Sequence, residues 1–354
     1  MSVVVGTPAW VVDTKHPLGE GGFGAVYRAK EHSPAQGQSA RDAAAKLMLL
    51  KDPVNKESFN EEIRMLEKVK GHESIIEFYG KEVQGDKGWM FLEMATGGEL
   101  FDRLIDSGSL SERAAWPYAK AICSALKHCY DSGVAHRDLK LENVMLSADD
   151  PNAVRLIDFG LAVSLNMKDG KVIETILDDN AGTQAYRAPE VYNRKGYSAL
   201  KVDVWAMGIV LFSLCSGFFP VQEAKDDDWR YKRLAKDQSK KIGSCESIFK
   251  TYKRTCPFSP SLKALVDGML TINPAKRLSI DEMCDSEWLA NPPAQPIKSG
   301  GIVYRGVDGG DDDDMEEEFS VPDDAIPLER QRAKRLDPSA LIDEGAGGMM
   351  VDEA

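Results

Sequence analysis

The stretch HRDLKLEN at residues 136–143 decides the fold. The triplet DFG follows it at residues 158–160, and the triplet APE follows at residues 188–190. Each is a pattern of several residues, and the three occur in a defined order, so each makes the interpretation of the others more specific. They predict that the chain on both sides of HRDLKLEN belongs to one domain.

A glycine-rich loop lies upstream of these motifs. Residues 18–26 are LGEGGFGAV, which places Gly19, Gly21 and Gly24 in the pattern GxGxxGxV between two strand-like runs. Glycines at this spacing let backbone N–H groups approach phosphate without interference from Cβ. On its own the loop also fits an ordinary glycine-rich hairpin or a dinucleotide site. A dinucleotide site requires a helix directly after the loop, whereas a strand-like run follows here.

Two charged residues follow the loop. Lys46 lies in a strand-like run at residues 44–48, and Glu62 lies on a helical segment at residues 58–70, where it can pair with Lys46. Either residue alone would be interpreted as a solvated surface charge. The loop, the two charges and the three downstream motifs nevertheless occur in one order, and the chance of coincidence is well below about one in a hundred.

Over residues 9–289 the chain resembles the eukaryotic protein kinases. The resemblance implies an α+β, bilobal protein-kinase fold with its domain at residues 9–290. The small N-lobe, residues 9–94, is expected to hold an antiparallel β-sheet and one helix, and the larger C-lobe to be mainly α-helical. The implied function is ATP- and Mg-dependent transfer of the γ-phosphoryl group to serine or threonine hydroxyls of protein substrates, in signalling.

The resemblance implies four catalytic residues. Lys46 would hold the α- and β-phosphates of ATP, and Glu62 would fix Lys46. Asp138 would accept or orient the proton of the substrate hydroxyl. Lys140 would screen the γ-phosphate, and a lysine at this position is the form found in serine/threonine kinases.

The resemblance also implies where both cofactors bind. Magnesium would be held by Asn143 and Asp158, which carry the hard oxygen ligands that it prefers. Glu93 and Ala95 would offer their backbone to the adenine, and Leu92 would be the gatekeeper. The residues expected to bind ATP are Leu18, Gly19, Gly21, Gly24, Val26, Ala44, Lys46, Leu92, Glu93, Ala95, Glu99 and Met145. For the apolar members, plain core packing remains an alternative.

Two further pairs are expected to be structural. Asp203 opens a buried helix and would brace the catalytic loop, and Arg277 is placed to pair with Glu190. Removing one partner of a buried ion pair is strongly destabilising, so such residues support the fold rather than the chemistry.

The activation segment suggests a fixed charge. Arg137 beside the catalytic aspartate is typical of kinases whose activation segment is ordered by a phosphate. Asp179 occupies the position where that phosphorylated residue commonly lies. We therefore hypothesise that no activation-loop phosphorylation is needed. The alternatives are that Asp178 and Asp179 are solvated loop acids, and that Thr175 is the phosphorylation site.

Several residues near the predicted site bear on substrate choice. Glu99 and Glu142 match acids that, in basophilic kinases, contact the ribose or substrate arginines, which favours an arginine upstream of the target hydroxyl. Ser213 stands where some of these kinases have another acid. Gln184 and Arg187 make the pocket that follows the phosphorylated residue more polar than usual.

The framework is similar to the calcium/calmodulin-kinase-like group. FYG at residues 78–80, FLE at residues 91–93 and GGELFDRL at residues 97–104 look most like the checkpoint effector kinase family. The chain departs from that family in having Cys129 and Tyr130 before the catalytic loop, and in a short tail.

Charge and cysteine usage limit the other possibilities. The net charge is −13, and residues 300–354 hold 16 Asp and Glu against 5 Arg and Lys, so the body is nearly neutral and no direct nucleic-acid binding is expected. Residues 291–354 are predicted to be a disordered acidic tail, with a transient helix at residues 326–336. Six scattered cysteines, no secretory signal and no membrane span predict a cytoplasmic or nuclear protein.

Two other functions remain open at this point. A pseudokinase scaffold or binding module would have the same fold, although the catalytic and magnesium-binding residues are all present. A kinase acting on small molecules is the second alternative, but APE and the long activation segment are typical of a site for protein substrates.

Overall fold

An antiparallel sheet forms near the start of the chain, where apolar residues alternate with polar ones. The structure, a computed structural model, describes residues 2–5, 10–21, 24–32, 39–192, 196–293 and 325–328. The strands of the sheet are β1 (Ser2–Val5), β2 (Trp10–Gly21), β3 (Gly24–Glu31), β4 (Asp42–Leu49), β5 (Phe78–Gln84) and β6 (Lys87–Glu93). Their order is β1-β2-β3-β4-β6-β5, and every neighbouring pair is antiparallel. The strand-like runs predicted in this region all lie in the sheet, and β1 and β5 add to them.

Aromatic packing holds the sheet together. Trp10 stacks on Phe91 with ring centroids 5.3 Å apart, and both side chains are buried. Such offset aromatic pairs contribute beyond the apolar area that they bury. The strands approach closely at Gly24, whose φ is +138° and where a Cβ would lie 1.8 Å from Leu47 O. Gly24 is therefore required by the contact between β3 and β4, whatever else the loop does.

Helices dominate the rest of the chain. Helix α1 (Pro53–Lys68) connects β4 to β5. It is followed by α2 (Leu100–Ser107), α3 (Glu112–Asp131), α4 (Val202–Ser216), α5 (Trp229–Ser239), α6 (Ser244–Thr251), α7 (Pro260–Met269), α8 (Ile280–Cys284) and α9 (Glu287–Ala290). All residues of α4 are buried, as expected of an apolar helix inside a protein. None of the described helices combines the length and the apolar composition that a membrane crossing needs.

Short strands pair with one another in the loops between the helices. They are β7 (Val134–Ala135), β8 (Val144–Leu146), β9 (Val154–Leu156), β10 (Val163–Ser164), β11 (Met167–Lys168), β12 (Lys171–Val172), β13 (Ile176–Leu177), β14 (Tyr197–Ser198), β15 (Phe218–Phe219) and β16 (Ile326–Pro327). The pairs β8–β9, β7–β10 and β13–β14 shape the loops that carry HRDLKLEN, DFG and the activation segment.

The chain divides into two compact units. Among the described residues, the first takes those up to Ile63 together with Phe78–Met94 and Leu328, and the second takes Arg64–Glu77 and Ala95–Pro327. The first is built on the sheet and the second on the helices, which confirms the predicted α+β, bilobal class.

The predicted disordered tail is wrong at four residues. Ala325 is buried, and β16 pairs with β15 in the register Phe218 with Pro327 and Phe219 with Ile326. Residues 326 and 327 thus form a strand rather than the start of the predicted helix. Residues 294–324 and 329–354 lie outside the described residues, as do residues 22 and 23 of the glycine-rich loop.

Candidate active site

Hydrogen bonds from three side chains converge on Asp138 at the centre of the catalytic loop. Lys140 Nζ donates to Asp138 Oδ2 at 2.8 Å, and Asn143 Nδ2 donates to the same oxygen at 3.1 Å. Thr183 donates to Asp138 Oδ1 through its backbone N at 2.9 Å and its Oγ1 at 2.8 Å. The carboxylate is buried and fully oriented, which fits a group that must hold one proton donor in a fixed direction.

Lys140 is held in its charged form. Burial disfavours the ammonium group, but the neighbouring carboxylates of Asp138, Glu142 and Asp158 outweigh burial and raise the pKa of Lys140. Its Nζ also lies 2.9 Å from Thr183 Oγ1. The arrangement therefore places a permanent positive charge beside the carboxylate.

Asp203, in the first turn of α4, holds the catalytic loop in place through hydrogen bonds. Asp203 Oδ2 accepts from the backbone N of His136 at 2.8 Å, and Asp203 Oδ1 accepts from the backbone N of Arg137 at 2.7 Å. Arg137 has a positive φ of 65°, which is strained for a residue with a side chain. The two bonds to Asp203 support that conformation, in agreement with the bracing expected from the sequence.

Asn143 and Asp158 carry the oxygen donors expected for magnesium. Asn143 Nδ2 is occupied by Asp138 O at 2.9 Å and Asp138 Oδ2, and no described residue donates to Asn143 Oδ1. Asp158 has a positive φ of 62°, and the adjacent Phe159 ring packs edge-on against His136 at 4.8 Å. Oxygen ligands of these two types fit Mg²⁺, which binds one or two protein groups together with phosphates. The described residues contain no cluster of three or more His, Cys, Asp or Glu that would hold a metal ion by itself.

Lys46 and Glu62 meet within the sheet unit. Lys46 Nζ donates to Glu62 Oε1 at 2.6 Å, and the Glu62 side chain is 3% exposed. β4 fixes the lysine and α1 fixes the glutamate, so the pairing expected from the sequence is present. A buried carboxylate holds the ammonium group in one position, which suits it to a phosphate oxygen.

The residues expected to bind ATP are distributed over both units. Most belong to the sheet unit: Leu18, Gly19 and Gly21 on β2, Gly24 and Val26 on β3, Ala44 and Lys46 on β4, and Leu92 and Glu93 on β6. The helical unit contributes Ala95, Glu99 and Met145, of which Glu99 and Met145 form a backbone bridge. Leu18 is 52% exposed, whereas Val26, Ala44 and Leu92 are half-buried.

Arg137 binds the acidic residue predicted to replace a phosphate. Its Nη1 donates to both oxygens of Asp179 at 2.8 and 2.7 Å, and Tyr197 Oη donates to Asp179 Oδ1 at 2.6 Å. Burial opposes the charge of Asp179, but the bonds from Arg137 and Tyr197 outweigh it, and the pKa of Asp179 is lowered. Asp179 thus stays ionised and ties the activation segment to the catalytic loop.

Thr175 is poorly placed for phosphorylation. Its side chain is buried, and its Oγ1 accepts from the backbone N of Asn166 at 2.8 Å. Its own backbone O accepts from Ala199 N. A kinase would have to open this contact, so the structure favours Asp179 over Thr175.

Glu142 is not the open acid that the sequence suggested. It is 9% exposed, and its Oε2 accepts from Tyr186 Oη at 3.1 Å. Tyr186 is itself buried and packs edge-on against Phe219 at 5.3 Å. Glu99 is half-buried and remains the more accessible of the two acids.

Arg277 and Glu190 form the predicted structural pair. Two bonds of 2.6 and 2.8 Å join the guanidinium to the carboxylate, and both residues are buried. Arg277 also donates to the backbone oxygens of Thr271 and Lys201. The bidentate geometry and the additional acceptors satisfy a charge that would otherwise be costly to bury.

The protein kinase domain family matches residues 12–289. The chain belongs to the protein kinase family. Curated relatives are similar over the same region. CBL-interacting protein kinase 11 of Oryza sativa subsp. japonica is 34% identical over 281 residues, 78% of this chain and 50% of that protein. CBL-interacting serine/threonine-protein kinase 2 of Arabidopsis thaliana is 32% identical over 276 residues, 77% of this chain and 54% of that protein.

A third relative extends over more of the kinase. CBL-interacting protein kinase 10 of Oryza sativa subsp. japonica is 31% identical over 319 residues, 90% of this chain and 66% of that protein. The chain thus spans about half to two thirds of the length of these relatives. The name of the Arabidopsis thaliana relative agrees with the serine/threonine class expected from Lys140. The names of these relatives do not bear on the narrower resemblance to checkpoint effector kinases.

Sequence reasoning missed three contributors to the kinase site. Thr183 lies outside the sequence motifs, although it binds both Asp138 and Lys140. Tyr197 and Tyr186 were not considered, although they bind Asp179 and Glu142. No spacing rule links either tyrosine to its partner. The β13–β14 pair brings Tyr197 close to the activation segment.

Proposed function

We propose that this kinase transfers the γ-phosphoryl group of ATP to serine or threonine hydroxyls of protein substrates. The observation that carries the proposal is the set of bonds around Asp138, which Lys140, Asn143 and Thr183 all contact. A scaffold has no need to fix a buried carboxylate, a lysine and an amide around one point.

The residues divide the chemistry among them. Asp138 orients the substrate hydroxyl and takes its proton as the phosphoryl group is transferred. Lys140 stabilises negative charge that develops on the transferred group, because its ammonium group is preorganised and needs no rearrangement. Thr183 holds Asp138 Oδ1, which leaves the direction of the carboxylate determined before substrate arrives.

ATP and magnesium fit the residues present. Protein kinases use both, and the metal ions neutralise charge on the phosphates when bound. Asn143 and Asp158 would hold magnesium, with Asn143 Oδ1 turned away from the bonds that its Nδ2 makes to Asp138. Lys46, fixed by Glu62, would hold the α- and β-phosphates.

We further propose the substrate preference and subgroup suggested by the sequence. An arginine upstream of the target hydroxyl is favoured by Glu99, whereas Glu142 is buried and accepts from Tyr186 Oη, so it gives this preference no direct support. The checkpoint effector framework is proposed from the sequence GGELFDRL at residues 97–104. A cytoplasmic or nuclear location is proposed because the cysteines are free.

The test is phosphate transfer from ATP-Mg to peptides that differ in the acceptor and in an upstream arginine. Asp138→Asn is expected to lower kcat by about 10²- to 10⁴-fold, the usual contribution of an acid–base group. Binding of ATP and the melting temperature are expected to stay near wild type, because asparagine keeps the shape and one acceptor oxygen. Transfer to tyrosine only, or transfer that persists in the variant, would contradict the proposal.

The scaffold alternative gives a different pattern. It predicts ATP binding without transfer to any peptide by wild type, and no effect of Asp138→Asn on partner binding. Lys46→Met serves as the matched control for ATP binding, since it removes the proposed contact with the phosphates and leaves the residues of the catalytic loop unchanged.

A further inference from the structure

Two of the cysteines are neighbours in the helical unit, away from the residues of the kinase site. Cys245 is buried near the start of α6, and Cys256 is half-buried in the segment that precedes α7. The thiol of Cys245 donates a hydrogen bond to the sulfur of Cys256. The two sulfurs are therefore in direct contact, although neither takes part in a disulfide.

The backbone holds this pair together. The chain reverses direction after α6, where the backbone N of Arg254 donates to Phe249 O at 3.0 Å. Beyond this turn the Phe258 ring packs edge-on against the Phe249 ring, with centroids 5.4 Å apart. Phe249 lies one helical turn after Cys245, and Phe258 lies two residues after Cys256. The aromatic contact and the thiol contact thus join the same two segments of chain.

Helix α7 flanks the pair with one acidic and one basic side chain. The backbone N of Cys245 donates to Asp267 Oδ1 at 2.7 Å, which fixes the start of α6 against α7. Lys263 lies one turn before Asp267 on the same helix and is close enough to Cys256 to favour a negative charge there. The cluster therefore offers a hydrogen-bond donor and a positive charge to one sulfur.

The surroundings of the two thiols differ. The bond from Cys245, the backbone N–H of Phe258 and the charge of Lys263 lower the pKa of Cys256, although burial opposes them. Burial raises the pKa of Cys245, which keeps its proton. The thiolate is the nucleophilic form of cysteine, so the more accessible sulfur is also the more reactive one.

We propose that Cys256 and Cys245 form an oxidation site for peroxide, in which Cys256 is the sulfur attacked first and Cys245 closes a disulfide with it. In the first step the Cys256 thiolate attacks a peroxide oxygen and the O–O bond breaks. Cys256 becomes a sulfenic acid, and the departing hydroxide takes up the proton that the thiol had lost, which gives water.

The second step needs only the neighbouring thiol. The sulfur of Cys245 attacks the sulfur of Cys256, an S–S bond forms as the S–O bond breaks, and the proton of Cys245 leaves with the hydroxyl as water. Together the two thiols lose two electrons, and the peroxide gains them as it is reduced to two molecules of water. The inference is independent of the proposed kinase activity.

A second pair of neighbouring cysteines provides the contrast. Cys284 is also half-buried, but its Sγ donates to the backbone O of Cys123 at 3.6 Å. Burial raises the pKa of Cys284 to about 11, so this thiol stays protonated near neutral pH. Accessibility is similar in Cys284 and Cys256, and we expect the two to differ in reactivity because of their hydrogen bonds and charges.

The test is treatment of the full chain with hydrogen peroxide, followed by alkylation in denaturant and peptide mapping by mass spectrometry. Wild type is expected to lose two hydrogen atoms and to yield a peptide cross-linked between Cys245 and Cys256, which dithiothreitol separates. In the untreated native protein, iodoacetamide should modify Cys256 about 10-fold faster than Cys284 or more, because only the thiolate reacts.

Two variants separate the two steps. Cys245→Ser keeps a donor beside Cys256 but removes the attacking sulfur, so a sulfenic acid at Cys256 should accumulate and be trapped by dimedone, about 10-fold more than in wild type. Cys256→Ser should abolish both the cross-link and the trapping. Cys284→Ser is the matched control, and its yield of cross-linked peptide should equal that of wild type.

The possible results either support the site or overturn it. The inference fails if peroxide leaves Cys256 a free thiol, or if Cys284 is oxidised as fast as Cys256. It also fails if dimedone labels Cys256 equally in wild type and in Cys245→Ser, since Cys245 would then not close the disulfide. If Cys245→Ser does not fold, the wild-type peptide map still decides. None of these results alters the expected phosphate transfer by reduced enzyme.

Discussion

Among single residues, Asp179 has the largest consequence for how activity is controlled. Phosphate carries more charge and more acceptor oxygens than a carboxylate, so one aspartate alone is a weak substitute. In this kinase Tyr197 adds a second donor to the one from Arg137, and the pKa of Asp179 is lowered as a result. The bonds that a phosphate would make are partly replaced by a hydroxyl that the sequence pattern did not predict.

Asp179→Ala is therefore expected to lower kcat/KM about 10-fold, by loosening the segment that carries Thr183. Tyr197→Phe should have a smaller effect, since one neutral hydrogen bond contributes about 1 kcal/mol. The measurement is peptide phosphorylation by phosphatase-treated enzyme, with its activation segment checked by mass spectrometry.

Asp178→Ala is the matched control, because Asp178 is an exposed neighbour. It should retain wild-type activity. If phosphatase-treated wild type is inactive, or if Asp179→Ala is as active as wild type, the carboxylate does not replace a phosphate.

At the scale of secondary-structure elements, partners that are both motif residues could be predicted from sequence. Lys46 with Glu62 and Arg277 with Glu190 belong to this class, because each motif implies the other. The residues paired in β13–β14 and β15–β16 are not motif residues, so these pairs could not be predicted in the same way. Pairing of distant strands depends on which edges the rest of the fold leaves open. For β15 and β16 it also closes a loop of about 100 residues, at an entropy cost that no local pattern records.

The β15–β16 pair gives a prediction at this scale. Ala325 is 3% exposed, next to the strand that pairs with Phe218 and Phe219. Ala325→Asp would bury an unpaired carboxylate, which is costly enough to release a two-residue strand. Amide hydrogen exchange at Phe219 is expected to accelerate by about 10-fold or more, as the pair opens more often.

The control is Ala114→Asp, since Ala114 is exposed in the first turn of α3, where an acid is tolerated. It should leave exchange at Phe219 unchanged. Equal exchange in wild type and in Ala325→Asp would mean that β16 contributes no protection to β15.

For the whole molecule, stability is expected to depend on pH through His72, which lies just after the turn that follows α1. His72 Nδ1 accepts from the backbone N of Ser74 at 3.1 Å, and His72 Nε2 lies 2.9 Å from Ser124 Oγ on α3. The ring of His128 lies 5.0 Å away, and Glu73 is the acidic group that favours protonation. Burial, and then His128, lower the pKa of His72 below its ordinary value of 6.5.

The sign follows from proton counts. Between the lowered pKa of His72 and pH 6.5 the unfolded chain binds more protons at this site than the folded one, so stability rises with pH. The contribution is fully present above pH 6.5, is lost as pH falls through the folded pKa, and has a slope of at most about 1.4 kcal/mol per pH unit, reduced by solvent screening. The physical cause is that burial, and then the neighbouring His128, disfavour the protonated ring of His72.

The measurement is the free energy of unfolding in urea between pH 5 and 8 for wild type, His72→Gln and His32→Gln. His72→Gln should flatten the slope below pH 6.5, whereas the exposed His32 is a control whose loss should leave it as in wild type. A slope that is the same in all three proteins would assign the acid sensitivity to other groups. His72 follows α1 and contacts Ser124 on α3. A flatter dependence of stability on pH in His72→Gln would therefore show that acid removes a stabilising contact between this segment and α3.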